Sequence, residues 1–215
     1  MGRPKEFETN VILDRAGELF WKFGYQATSI PELEAATGIG RGSLYNSFGD
    51  KEGLYLAALD RYQVKFGAPP MSHLADENGG DGIRKMLEAF VERMARSDVP
   101  NGCLNTSSCV ENDGRSKRIS SVVAANLDSF ESHLQDAIQR AIRTKQVPRG
   151  TNAKQLARFF VAVAQSLGVI NRASSDVTRL HDIVEVAMDV WPAPPTTRAL
   201  GARAASARRR ESGRG

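Results

Sequence analysis

Cysteine is scarce in this 215-residue chain: only Cys103 and Cys109 occur. Two thiols are too few for a disulfide framework or a thiolate-rich zinc site. The three histidines, His73, His133 and His181, lie far apart and form no ligand spacing. No metal and no cofactor are expected. Long apolar runs are missing too. The richest, "FFVAVA" between Arg158 and Gln165, is far too short to span a bilayer. The first residues, "MGRPKEFETN", lack the apolar core of a signal peptide. A cytoplasmic protein with no membrane partner is the expectation. No strand alternation, hairpin signal or internal repeat competes with what is present.

What is present is an ordinary globular composition, 41% hydrophobic and 25% charged. The net charge of +4 is unevenly placed. The segment from Pro192 to Gly215 carries six arginines and one glutamate, which leaves −1 for the remainder. The high pI therefore belongs to the tail and says little about nucleic acid. Residues 192–215, rich in Pro, Ala, Ser, Gly and Arg, read as a disordered tail. It is either simply solvated or adds nonspecific affinity for phosphate.

Elsewhere apolar residues recur at helical spacing, so the chain reads as all-α. Ile12, Ala16, Leu19, Phe20 and Phe23 mark the inward face of a first helix ending at Gly24. Ser29 with Glu32 forms a capping-box pattern opening a second, and Pro31 falls in its first turn, where a missing N–H costs little. A third runs from about Arg41 to Ser47. Asp50 caps a fourth, with Leu54, Tyr55, Ala58, Leu59 and Tyr62 on one side. The breaker-rich "GAPPMSHLADENGGDG" then suggests a boundary near residues 67–82. Further helices follow from Ile83, from about Cys103, over about Lys117–Lys145, over about Ala153–Arg172, and through Val177 to Trp191. The expected division is an N-terminal unit, residues 6–66, and a larger C-terminal unit, residues 82–191.

The stretch "TGIGRGSLYNSFGDKEGLY" singles out the N-terminal unit. Two short helices joined by a glycine-containing turn, residues 29–48, match a helix-turn-helix. Leu44 and Phe48 can pack inward while Arg41, Gly42, Ser43, Tyr45 and Asn46 lie outside that pair. Arg41 can pair with guanine or phosphate, Asn46 with adenine or phosphate, and Tyr45 can reach a phosphate through its hydroxyl. Gly42 permits close backbone approach. Thr28 and Ser29 offer donors at a helix start, and Lys51 is placed for a phosphate. A solvated turn between core helices has the same geometry, and residues 1–66 sum to −1.

A resemblance adds what geometry leaves open. The run "ILDRAGELFWKFGYQATSIPELEAATGIGRGSLYNSFGDKEGLYLAAL" is similar to the DNA-binding domain of TetR-family transcriptional regulators. It has their "LF…GY…TS", their "A…GI…GSLY..F" and their "DKEGL", in order. Gly40 departs mildly, standing where the family more often has a small hydroxyl residue. The resemblance implies three N-terminal helices for DNA and about six C-terminal ones for a ligand pocket and a dimer interface. It implies a homodimeric repressor, or an activator, on a palindromic double-stranded operator. The dimer would form through helices about 153–172 and 176–191. The first of these carries Phe159 and Val163 as well as Phe160 and Leu167, more than one apolar stripe, so it should be buried on more than one side.

In the C-terminal unit, "GCL" at Cys103 is similar to a TetR subgroup whose members respond to electrophiles or oxidants through cysteine. Cys103 and Cys109 are either two small buried residues or a thiol sensor. Cys103 is the better candidate, because a helix N-terminus would lower its pKa. Candidates facing a small-molecule effector pocket are Phe90, Met94, Leu104, Leu127, Phe130 and Phe160, each otherwise plain core. Two rival classes are weaker. A cysteine-dependent enzyme needs an adjacent base, and no histidine is near in sequence. A helical dimer without DNA binding is at odds with Arg41, Tyr45 and Lys51.

Overall fold

The computed structural model describes residues 3–111 and 115–192, with side chains from Glu8 onward. The arginine-rich tail beyond Pro192 lies outside the described residues. Among the described residues the regular structure is helical throughout. The elements are α1 (Arg3–Phe23), α2 (Ile30–Thr37), α3 (Arg41–Phe48), α4 (Lys51–Tyr62), α5 (Ala68–Met71), α6 (Gly79–Met94), α7 (Leu104–Glu111), α8 (Lys117–Arg143), α9 (Ala153–Ala173) and α10 (Val177–Met188).

Apolar spacing places α1 as expected except at its end. Ala16 and Phe20 are fully buried against α4. Phe23, expected on the inward face, is 50% exposed with the Lys22 ammonium 5.2 Å from its ring. Trp21 takes the inward place, edge-on to Tyr62 at 4.9 Å and to Phe66 at 5.3 Å. The surface that this last turn meets is the end of α4 and the residues after it, which lie on the Trp21 side of the helix.

Leu33 of α2, Leu44 of α3, and Leu54, Tyr55, Ala58 and Leu59 of α4 complete the head's own core. The head is not sealed alone. Leu104 of α7 and Ile119 and Val123 of α8 belong to the same buried cluster, each stabilising the joined arrangement by at most roughly 1.5–3 kcal/mol. A second core lies among α6, α8, α9 and α10, around Met86, Leu87, Leu134, Ile138, Phe160, Leu167 and Leu180.

The stretch over residues 67–82 is largely helical, contrary to its composition. A π-helical turn (Gln63–Gly67) continues α4, followed by α5 and a 3-10 turn (Ser72–Ala75). Pro69 and Pro70 sit in the opening turn of α5, the part of a helix that tolerates proline. Gly79 and Gly80 open α6 rather than a loop. A Cβ on Gly79 would lie 2.9 Å from Ala141 Cβ, and one on Gly80 2.9 Å from Trp191 Nε1. These glycines admit close packing; they do not interrupt it.

Asp14 of α1 ties the helix to Arg61 at 2.9 Å and to Lys65 at 3.0 Å. Partial burial would raise its carboxyl, but the hydrogen bonds from Arg61 and Lys65 more than offset this and hold it below its ordinary value. A depressed folded pKa gives stability that is complete above the unfolded value, about 4, and lost as pH falls through the folded one. Asp14→Asn should therefore lower stability at neutral pH by about 0.5 kcal/mol, given the partial exposure of all three groups. Urea unfolding at neutral and acid pH checks this: the two proteins should converge in acid.

Candidate nucleic-acid interface and the cavity behind it

The helix-turn-helix is built from short-range contacts. At Ser29 the capping box is complete: the Ser29 N–H and hydroxyl each donate to Glu32 Oε2 at 2.7 Å, and the Glu32 N–H donates to Ser29 Oγ at 3.4 Å. Gly38 ends α2 with a left-handed φ of 77°, which glycine adopts without strain. Gly40 then precedes α3 with no side chain to cap it. Glu34 supplies the cap from α2, its Oε1 accepting the Arg41 N–H at 2.5 Å. The departure from the family pattern at Gly40 is thus met by a carboxylate seven residues earlier, where it also complements the positive end of α3.

On α3, Leu44 is buried and Phe48 half-buried against the head core. Arg41, Gly42, Ser43 and Asn46 are exposed and Tyr45 is half-exposed. The Arg41 guanidinium stacks over Tyr45 at 5.1 Å from the ring centroid. A Cβ built on Gly42 would meet nothing within 4 Å. Lys51 lies over the Tyr25 ring at 4.6 Å and its ammonium is 3.5 Å from Gln26 O. Its pKa is lowered, mainly by burial, with Glu32 opposing.

Two expected contacts are altered by the fold. Thr28 is 1% exposed and its hydroxyl donates to Gly24 O at 2.7 Å, so it presents no free donor. The Ser29 donors are exposed but spent on Glu32. The remaining candidates, Arg41, Gly42, Ser43, Tyr45, Asn46 and Lys51, gather on and beside one face of α3.

Behind the head lies a cavity of about 510 Å³. Of the expected lining residues, Phe90, Phe130 and Cys103 border it, with the two phenylalanine rings 6.1 Å apart. Met94 and Phe160 do not: both are committed to the body core. Leu104 and Leu127 pack on the head side, because the head core borrows from α7 and α8. Cys109 is absent from the cavity as well. It is an exposed residue whose thiol folds back to Asn105 O at 3.3 Å, and desolvation there pushes its pKa up.

Sequence reasoning missed the polar lining: Asn105, Asn126, Gln165 and His133. Asn126 donates to Asn105 at 3.1 Å, and Thr106 donates to Gln165 at 2.6 Å. Amides on otherwise apolar helix faces were the available signal. His133 shares the cavity with Cys103, with its Nδ1 2.6 Å from the Ser129 carbonyl.

The Tyr62 hydroxyl donates to Cys103 Sγ at 3.3 Å. Burial raises the Tyr62 pKa well above its ordinary value, so that hydroxyl stays protonated. Tyr55, raised to about 12 mainly by burial, bonds Ser108 at 2.6 Å. The Tyr25 N–H donates to Glu111 at 3.0 Å. The short helix α7 and Cys103 just before it are thereby bonded to α4 twice, and α7 to Tyr25, just after α1, once.

Comparison with known proteins accounts for both units. A family model described as "Bacterial regulatory proteins, tetR family" matches residues 12–58, and one described as "Tetracyclin repressor-like, C-terminal domain" matches residues 79–187, half of the chain. The chain belongs to the TetR family. Among its TetR relatives, the HTH-type transcriptional repressor ComR of Escherichia coli (strain K12) is 30% identical over 193 residues, 89% of this chain and 92% of that protein. The uncharacterised HTH-type transcriptional regulator YezE of Bacillus subtilis (strain 168) is 29% identical over 88% of this chain and 99% of its own length. The TetR family transcriptional regulator CifR, solved as a cysteine mutant complexed with 26 bp double-strand operator DNA, is similar with a TM-score of 0.81. It is 28% identical over 85% of this chain and 96% of that one. These relatives are transcription regulators, not enzymes. The chain is accordingly a helix-turn-helix transcription regulator of the TetR family, and no described helix is long and apolar enough to cross a membrane.

The open space at Gly42 separates fold from function. Gly42→Ala should leave the head folded and raise its stability by about 0.5 kcal/mol through helix propensity. The added methyl should weaken DNA binding several-fold. Thermal unfolding beside a DNA titration reads both; a loss of stability, or unchanged affinity, would contradict the assignment of this face.

Proposed function

We propose that this TetR regulator is a cytoplasmic repressor that binds a palindromic operator as a homodimer and lets go when its C-terminal cavity is occupied or Cys103 is modified. The observation that carries the DNA-binding part is the exposed polar face of α3, with Arg41 and Asn46 outward, Leu44 locked inward, and nothing covering Gly42. That face suits a major groove about 12 Å wide. On this reading Arg41 and Asn46 read base edges or phosphate, while Tyr45 and Lys51 position the head on phosphates. The operator complex of CifR supports the same use of the head.

Residues 6–66 act as the reading head and 82–191 as the effector and dimerisation unit. The dimer reading is supported by apolar side chains exposed on and just beyond α9 and α10: Phe159, Val169, Val186 and Val190 are 37–67% exposed. A second copy covering them would make a four-helix bundle and set two recognition helices one DNA turn, or a multiple, apart.

The release mechanism follows from α7. A ligand pressing on Phe90 and Phe130, or an adduct on Cys103, displaces the Tyr62–Cys103 contact and with it the end of α4. An effector acts by favouring the state whose heads are wrongly spaced, through its differential affinity for the two states. An activator would share the DNA contacts and differ only in where its operator lies.

The decisive experiment is a salt-dependent titration of the full chain with the promoter fragment around its own gene, with and without a thiol-alkylating agent. Tight, sequence-dependent binding lost on alkylation supports the cysteine-switched repressor. Tight binding indifferent to alkylation, and unchanged in Cys103→Ser, leaves the repressor and transfers release to a reversible ligand. Weak binding equal for every DNA contradicts the reading. In the same assay Tyr45→Phe should weaken binding across all sequences by about tenfold at most, whereas Asn46→Ala should relax preference at one base position, worth about 1–3 kcal/mol.

A further inference from the structure

The cavity behind the head has an uncharged lining. Among the described residues no lysine, arginine, aspartate or glutamate borders it. Its one imidazole, His133, is an exposed residue whose Nδ1 meets the Ser129 carbonyl. An ion entering such a space gives up water and gains no counter-charge, which is strongly unfavourable.

The walls are aromatic. Tyr62 and Phe66, 5.3 Å apart, come from α4 and the π-helical turn that continues it. Phe90 and Phe130, 6.1 Å apart, come from α6 and α8. The volume of about 510 Å³ is roughly three times that of a cavity of about 150 Å³ that holds benzene. Two or three fused rings therefore fit. The mouth lies beside Val64, which borders the cavity and is 59% exposed.

Two amide N–H groups are free to meet an occupant. Asn105 of α7 is 7% exposed. Its Oδ1 accepts from Asn126 Nδ2 at 3.1 Å, while its own Nδ2 has no acceptor among the described residues. That nitrogen is nevertheless not one of the sealed donors, which are Trp21 Nε1 and Arg93 Nε. It therefore reaches open space, and the space that Asn105 borders is this cavity. Gln165 of α9 repeats the pattern. Its Oε1 accepts from Thr106 Oγ1 at 2.6 Å, and its Nε2 is likewise without an acceptor and unsealed. Thr106 follows Asn105 on α7, so the two amides border the same end of the cavity. In each the oxygen is spent on a neighbour and the nitrogen is left to donate.

We propose that the cavity selects an uncharged, flat aromatic molecule of two or three rings whose carbonyl oxygen accepts the N–H groups of Asn105 and Gln165. The rings lie among the four aromatic side chains. A carbonyl oxygen has two lone pairs and can take both donors. Binding is reversible and needs no bond to Cys103. This assignment rests on the reading of the cavity as the effector site, and it makes Asn105 and Gln165 the residues that set specificity there.

The test uses the full chain without DNA, in equilibrium dialysis against fluorenone, against fluorene, which lacks the carbonyl, and against the carboxylate and aminomethyl derivatives of fluorenone. Saturable fluorenone binding is expected. Fluorene should bind about tenfold more weakly for want of the acceptor, and both charged derivatives about tenfold more weakly or worse. Asn105→Leu and Gln165→Met keep the side-chain volume and remove the donor. Each should weaken fluorenone several-fold, while fluorene binds at least as tightly as before, which shows that the cavity is intact. Gln165 is half-buried, so its variant keeps the test open where Asn105→Leu fails to fold. No saturable fluorenone binding, fluorene equal to fluorenone, a charged derivative binding more tightly, or a fluorenone affinity unmoved in both variants overturns the proposal. Operator release is titrated separately. Selective fluorenone binding that leaves the operator bound supports the ligand class and contradicts the release reading alone.

Discussion

What α3 offers to DNA depends on the packing of α1 against α4. Phe20 meets Tyr55 edge-to-face at 4.9 Å, Tyr25 meets Tyr55 at 4.9 Å, and Trp21 meets Tyr62 at 4.9 Å. Edge-to-face aromatic pairs add roughly 0.5–1.5 kcal/mol each beyond the area they bury. Their larger effect here is directional. Rings locked on both helices leave α4 no freedom to slide along α1, so α2 and α3, short and weakly stable alone, inherit a fixed platform.

The same residues join the head to the body. Tyr55 and Tyr62 reach α7 through Ser108 and Cys103, and Glu111 closes on the Tyr25 N–H. From the far side, Arg172 near the end of α9 donates to the carbonyls of Trp21 at 2.7 Å and Lys22 at 2.9 Å, satisfying the last turn of α1. Asn171 beside it receives the Gly102 N–H at 2.5 Å. A helix of the C-terminal unit thus holds the end of a helix that carries the head. The end of α9 contacts the end of α1 directly, without passing along α4.

The local devices were readable in one dimension. The Ser29–Glu32 box, the Asp50 cap and the end of α2 at Gly38 each need residues only three or four apart, and the fold uses them as spacing predicts. Most errors came from long-range packing. Phe23 and Trp21 are two residues apart, and only the position of Tyr62 and Phe66 decides which one is buried. The glycines and prolines over residues 67–82 read as breakers because composition cannot tell a flexible glycine from one pressed under Trp191. Thr28 is a local miss: its hydroxyl is taken by Gly24 O only four residues earlier, in a turn whose conformation helical spacing does not predict.

The sequence by itself determined the helical class, the family through its long N-terminal match, and the outward residues of α3, since all of these are encoded in short spacings along one chain. The tertiary structure alone decided that the head core is completed by Leu104, Ile119 and Val123. It also decided that Phe90 and Phe130 share a cavity with Cys103 while Met94 and Phe160 do not, and that Trp21 and Arg93 each keep a buried donor without an acceptor among the described residues. The reason is physical: burial and pairing depend on which faces of distant helices meet, and the periodicity of one helix fixes its apolar face but not its partner.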